Sequence, residues 1–254
     1  MPRYSANLTL LWPGLPQMDR FRDAAEAGFS RVEILFVHEL DAGRVERLLR
    51  ELHLDLVLFD PRPGDWSRGE RGLLSLPGRE EEFLASVREA IALAQRFGTR
   101  RINALAGISS GELARQTAVR NLRAAAPLVE KAGMQILVEA INTIDMPGYF
   151  ASTPDIAAEL VRAAESDSVR LQLDQYHAGM MGLDARALLG KYAQLVGHVQ
   201  IADVPGRHEP GTGKQPIAEF LRELDAVGYS GSVGLEYKPL DGDGLGWLPR
   251  SARG

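Results

Sequence analysis

Short apolar runs alternate with amphipathic stretches along almost the whole chain. The runs lie at 4–11, 31–36, 54–59, 101–106, 134–139, 169–174, 198–202 and 232–237. Between most of them the apolar residues recur with a period near 3.6, as on a helix with one buried face. Val45, Leu48, Leu49 and Leu52 share a face of the stretch 42–52, and Phe83, Val87, Ile91 and Ala94 a face of 80–97. Further helices are expected at 16–27, 116–132, 154–164 and 217–227. Gly28, Gly98, Gly133 and Gly228 each follow a helical stretch, where a left-handed residue ends a helix with least strain.

Strands alternating with helices predict a parallel sheet covered by those helices. Eight strands are the number that closes a barrel, and 254 residues is a usual length for one. An open doubly wound sheet is the rival, but no G-x-G-x-x-G turn follows the first run. The expected fold is therefore a single (β/α)8 TIM barrel domain over 1–254.

Composition narrows the chemistry. Apolar residues make up 45% and charged residues 25%, which excludes disorder as the default. A net charge of −5 argues against nucleic acid or an anionic membrane as partner. The absence of cysteine excludes disulfides, thiolate nucleophiles, Cys-ligated zinc and iron–sulfur clusters. Met1-Pro2-Arg3-Tyr4-Ser5 lacks a signal-peptide core, and no apolar run approaches the ~20 residues of a membrane span. The cytoplasm is the expected location. A homo-oligomer is compatible with the chain, although no particular surface announces one.

Active sites of barrels lie at the C-terminal ends of the strands. The fifth run ends in Glu139, the sixth in Asp174, the seventh contains Gln200 and the eighth carries Glu236. An acid at a strand end is often a helix cap, but four oxygen donors on consecutive strands converge on one point. Three carboxylates at one point repel one another unless a cation joins them. An oxygen-only set of three carboxylates and an amide suits Mg²⁺ or Mn²⁺ better than zinc. Two of the donors are glutamates three strands apart, on opposite sides of a bound substrate. One removes a proton from carbon and the other delivers one to the neighbouring carbon, the layout of a 1,2-hydrogen shift.

These residues sit in motifs that resemble the hydroxypyruvate isomerase family of xylose-isomerase-like barrels. The likeness covers nearly the whole chain. It includes Gly64-Asp65-Trp66-Ser67-Arg68-Gly69-Glu70-Arg71-Gly72, Val138-Glu139-Ala140-Ile141-Asn142 and Leu173-Asp174-Gln175-Tyr176-His177. His198-Val199-Gln200-Ile201-Ala202-Asp203, His208-Glu209-Pro210-Gly211-Thr212-Gly213 and Glu236-Tyr237-Lys238-Pro239 complete it. The resemblance implies a divalent metal held by Glu139, Asp174, Gln200 and Glu236, with Glu139 and Glu236 as the catalytic acid/base pair. It implies substrate contacts from His177 and Arg207, and a reaction converting hydroxypyruvate to 2-hydroxy-3-oxopropanoate. Related sugar epimerases carry His where this chain has Gln200, which points toward the isomerase branch.

A small hydroxy-oxo acid needs a cationic partner for its carboxylate. Arg207, Lys238 and Arg71 are the candidates, and a guanidinium suits bidentate binding. The long loop 60–78 holds Trp66 and Arg71, and is expected to act as a lid with Trp66 against the substrate. Two features depart from the family pattern. The third run ends Leu58-Phe59-Asp60 where His-Asn is expected, and Lys214 stands where Glu is expected. The Leu-Phe ending resembles a sister group, the 2-oxo-tetronate isomerases, so a three-carbon and a four-carbon acid both fit. A sugar epimerase, a polyol dehydratase and a non-catalytic sugar-acid binder are further readings on the same barrel. A DNA-repair phosphodiesterase needs a His-rich multi-metal cluster, and this chain has 5 scattered histidines. His38 and His53 are expected at the surface or in packing, His198 as a neutral histidine satisfied by main chain, and Gly211–Gly213 as a turn.

Overall fold

The first apolar run illustrates how the strands end. In the computed structural model, which describes residues 3–254, β1 spans Arg3–Asn7 and stops well before Leu11. The Asn7 side-chain oxygen accepts the Thr9 N–H at 3.0 Å, and the Leu11 N–H returns to the Asn7 carbonyl. This turn still buries Leu8 and Leu11, so apolarity outlasts the strand. Met1 and Pro2 of the segment read for a signal core lie outside the described residues.

The other strands are β2 (Arg31–Glu33), β3 (Asp55–Leu58), β4 (Arg101–Asn103), β5 (Gln135–Glu139), β6 (Val169–Asp174), β7 (Val196–Ile201) and β8 (Ser232–Leu235). All pair in parallel, in the order β3-β2-β1-β8-β7-β6-β5-β4. Between β3 and β4 the ladder thins to one bridge, Phe59 to Ile102, with the Asn103 N–H on the Phe59 carbonyl at 3.1 Å. The eight strands thus form the expected barrel, nearly closed.

The helices are α1 (Arg20–Glu26), α2 (Ala42–Glu51), α3 (Glu80–Phe97), α4 (Gly111–Lys131), α5 (Pro154–Ala163), α6 (Gln175–Met180), α7 (Ala185–Tyr192) and α8 (Ile217–Ala226). The apolar stripe of α3 buries Phe83, Val87 and Ala94, and Gly98 ends the helix at φ +74°. On α2 the Asp41 side chain caps the helix by accepting the Arg44 N–H at 2.6 Å. Two helices, α6 and α7, fill the β6–β7 crossover, where the periodicity named none. They are short, and α6 starts directly from the strand with Asp174 as its N-cap. Helix α4 begins five residues before the expected start, because Gly111 and Glu112 continue its first turn in a segment that reads as loop. Among the described residues no helix is long and apolar enough to cross a membrane.

Candidate active site

Polar residues that are all buried ring the C-terminal mouth: Asn7, Glu33, Asp60, Asn103, Glu139, Asp174, Gln200 and Glu236. They fall into two tiers. The lower tier centres on Glu33, which the sequence reading missed. Its carboxylate accepts from Ser5 and Asn7 at 3.1 Å each and from the His198 Nε2 and Gln200 Nε2 at 2.9 Å each. A carboxylate has room for these four donors. Gly234 makes the space, since a Cβ there would lie 2.4 Å from the Glu33 Oε1. His198 is therefore held by a side chain and not by main chain, because the barrel interior puts a buried acid against it. Gln200 belongs to this tier. Its Nε2 donates to Glu33 and its Oε1 accepts from the Gln172 Nε2 at 2.6 Å.

The upper tier faces the cavity. The Arg207 Nη2 lies 2.7 Å from the Glu236 Oε1 and 3.5 Å from the Asp174 Oδ2. Glu139 accepts from the Asn103 amide at 2.8 Å. Glu139, Asp174 and His177 bring one potential ligand atom each within 4.8 Å of one another. The proton inventory separates the histidine from the acids. The Asn142 Nδ2 donates to the His177 Nδ1 at 2.6 Å, while the Asn142 Oδ1 is occupied by the N–H groups of Ile144 and Asp145. The His177 Nδ1 must then accept, so the Nε2 carries the hydrogen and stands 3.5 Å from the Asp174 Oδ2 without hydrogen-bonding it. A protonated nitrogen is a donor to an oxygen and not a metal ligand.

Burial pushes the carboxyls toward their neutral forms. Glu139 rises well above the usual range, first through burial and then through the charges of Glu236 and Asp174. Glu236 is pushed up to about 8 by burial, although Arg207 favours its ionised form. Asp174 and Asp60 are raised as well, both chiefly by burial. His177 is held well below its ordinary value by burial and by Arg207, and is therefore neutral. Glu139, Asp174 and Glu236 thus share one cation, Arg207. Asp174 also keeps its Oδ2 buried without a hydrogen-bond partner. That orphaned oxygen, beside Glu139 and facing Glu236 across the arginine, fits a hard divalent cation.

The cavity has a free volume of about 140 Å³. Its walls include Phe36, Asp60, Trp66, Glu139, Arg207 and Glu236. The expected site residues divide accordingly. Trp66, His177, Arg207 and both glutamates line the cavity, and Asp174 lies against Arg207 without lining it. Arg71 stacks behind Trp66, its guanidinium 4.1 Å from the ring centroid, and donates to the Trp66 carbonyl. Lys238 is exposed, and its carbonyl accepts from the His208 ring. Arg207 is the cation the structure brings to the acids. It lies over the Tyr176 ring at 4.9 Å, and the Tyr176 hydroxyl donates to Asp145. Gly211–Gly213 is a turn, anchored by the Gly211 N–H on Asp203.

A family profile described as xylose isomerase-like TIM barrel matches residues 21–251. The chain belongs to that family. The 2-oxo-tetronate isomerase of Cupriavidus necator is 38% identical, with 98% of each chain covered. The hydroxypyruvate isomerase of Escherichia coli is 36% identical over the same shares. With relatives of this kind along its full length, the chain is an isomerase. Among solved structures, one named as an AP endonuclease, family 2, from Brucella melitensis superposes with a TM-score of 0.95 at 41% identity, covering 98% of each chain. An E. coli 3-keto-D-glucoside 4-epimerase shares the fold, with a TM-score of 0.78 at 20% identity over 99% of this chain and 97% of that one.

Proposed function

We propose that the chain is a divalent-metal-assisted isomerase of a short hydroxy-oxo acid, interconverting hydroxypyruvate and 2-hydroxy-3-oxopropanoate. The observation that carries this reading is the pair Glu139 and Glu236 lining one small cavity, with Arg207 paired to Glu236. Glu139, Asp174 and Glu236 would hold Mg²⁺ or Mn²⁺, with Gln200 joining them if its carbonyl leaves Gln172. Bound there, the metal supplies positive charge for the oxygens of the enediolate.

The chain's own residues do the rest. One glutamate takes a proton from C3 of hydroxypyruvate, and the other returns a proton to C2. The hydroxyl proton passes from O3 to O2, so the isomerisation is balanced without a redox partner. In the reverse direction the two glutamates exchange roles. The neutral His177 offers its Nε2–H to a substrate oxygen, held in that tautomer by Asn142. Arg207 binds the substrate carboxylate, in the bidentate geometry a guanidinium favours. Trp66, packed on Phe36 at 5.0 Å between ring centroids, covers the substrate and excludes water. Trp66→Ala is accordingly expected to raise KM roughly tenfold in steady-state assays. Unchanged kinetics would remove the 60–78 loop from the reaction.

A second reading, a 2-oxo-tetronate isomerase, is favoured by Leu58-Phe59 at the end of β3 and by the Cupriavidus necator relative. The carbonyl shift is the same on a four-carbon acid. The test is an NMR panel of three- and four-carbon oxo acids in D₂O with Mg²⁺ or Mn²⁺. Conversion of hydroxypyruvate with deuterium entering at C2 supports the first reading, and preference for the four-carbon acid the second. Loss of water from substrate would mark a dehydratase instead. Nuclease chemistry of the kind the Brucella melitensis protein is named for calls for a histidine-rich cluster. Among the described residues the only such group of potential ligands holds one histidine.

A further inference from the structure

The opposite end of the barrel carries an unassigned cleft. It is lined by Arg101 at the start of β4, Gln135 at the start of β5, Arg170 on β6, Gly197 on β7, and Tyr229 and Ser230 before β8. Its free volume is about 270 Å³, and none of its lining residues is Asp or Glu. Two guanidinium groups thus share a cleft without a countercharge.

Their hydrogen bonding is incomplete in the same place. The Nε atoms of both Arg101 and Arg170 are buried and have no partner. Arg170 spends one Nη2 on the Gln194 carbonyl at 2.5 Å. A buried donor left unpaired costs about 1–3 kcal/mol, and more when charged, so both guanidinium groups are under-satisfied within the fold and gain most from an acceptor at their termini. The local sequence is shaped around this. A Cβ on Gly197 would come within 2.7 Å of the Arg170 Cβ and 2.9 Å of Leu137, so only glycine lets the arginine stem lie across β7. The Tyr229 hydroxyl donates to the Ser232 carbonyl at 2.9 Å and feels the Arg101 charge, which opposes the upward push of burial.

We propose that this N-terminal mouth binds a small, multiply charged oxyanion of the phosphate type between Arg101 and Arg170. Its oxygens accept from the guanidinium termini that line the cleft, and its charge offsets that of both cations. The site is separate from the active site. Arg170 and Asp174 sit at opposite ends of β6, roughly 13 Å apart at the strand's rise per residue.

The test is calorimetric titration of the full chain with inorganic phosphate at constant ionic strength. One phosphate per chain is expected. Arg101→Met with Arg170→Met should weaken it about tenfold or more, the loss of a charge-assisted pair. Turnover of the isomerase substrate, unchanged in the double variant, reports that it is folded. If it is not, Arg101→Met alone, which leaves the packing on Gly197 intact, carries the same expectation. Arg207→Met should leave phosphate binding unchanged. No binding to the wild type, binding that survives loss of both arginines, or binding lost with Arg207 would each overturn the proposal.

Discussion

Glu139→Gln and Glu236→Gln are each expected to lower kcat by about a thousandfold or more while the folded barrel persists. Removal of a positioned acid or base costs roughly 10²–10⁴ in rate, and each glutamate is proposed to act in both directions of the reaction. The amide has the size of the neutral acid that burial already favours at these positions. In Glu139→Gln it relieves a crowded cluster, so the melting temperature should stay level or rise; in Glu236→Gln it should fall, because the ion pair with Arg207 is lost. Rates from NMR at saturating substrate, together with thermal melts, check both halves. Turnover within a few-fold of the wild type would take that glutamate out of the proton path.

Stripped of divalent cations, the protein should lose thermal stability as pH rises from about 4.5 to about 8. Glu236 has an ordinary value of 4.5 and is pushed to about 8 in the fold by burial. In that window the folded state holds a proton that the unfolded chain has released, so stability falls with increasing pH. Glu139, Asp174 and Asp60 shift in the same direction and deepen the effect. Mg²⁺ or Mn²⁺ held as proposed would compete with protons for the same oxygens. Adding it should therefore raise the melting temperature by several degrees at pH 8 and by much less at pH 5. Equal metal-induced shifts at both pH values, or a chelator-treated protein indifferent to pH over this range, would place the cation elsewhere.

The eight strands and their order follow from the spacing of apolar runs, and α3 matches its expected bounds at both ends. Strand ends were less legible. Leu8 and Leu11 are buried by a turn, and apolarity alone does not distinguish a turn packed on the core from a strand. At the site, the four strand-end donors of β5 to β8 are all buried, but they occupy two tiers. Gln200 faces Glu33 because its amide finds a donor and an acceptor inside the barrel, a pairing invisible without register. Glu33, Asp60 and Asn103 were missed, although they too stand at or just beyond strand ends. The same rule applied to the first four strands would have found them. Arg71 and Lys238 were drawn in by motif position, whereas the cavity takes its cation from Arg207, brought over the acids by the loop after β7.

The single bridge between β3 and β4 has a mechanical consequence. Four residue pairs join β1 to β8 and four join β6 to β7, but one joins the ends of the chain of strands. Compliance is therefore distributed unevenly around the rim. The wall bearing Asp60 and Asn103 is the hinge side, and the wall bearing Glu139, Asp174 and Glu236 is the anvil. Amide hydrogens flanking the seam should exchange soonest among the strands. Substrate range is then most readily retuned by substitutions along the seam, where the rim gives without disturbing the acids proposed to handle the proton.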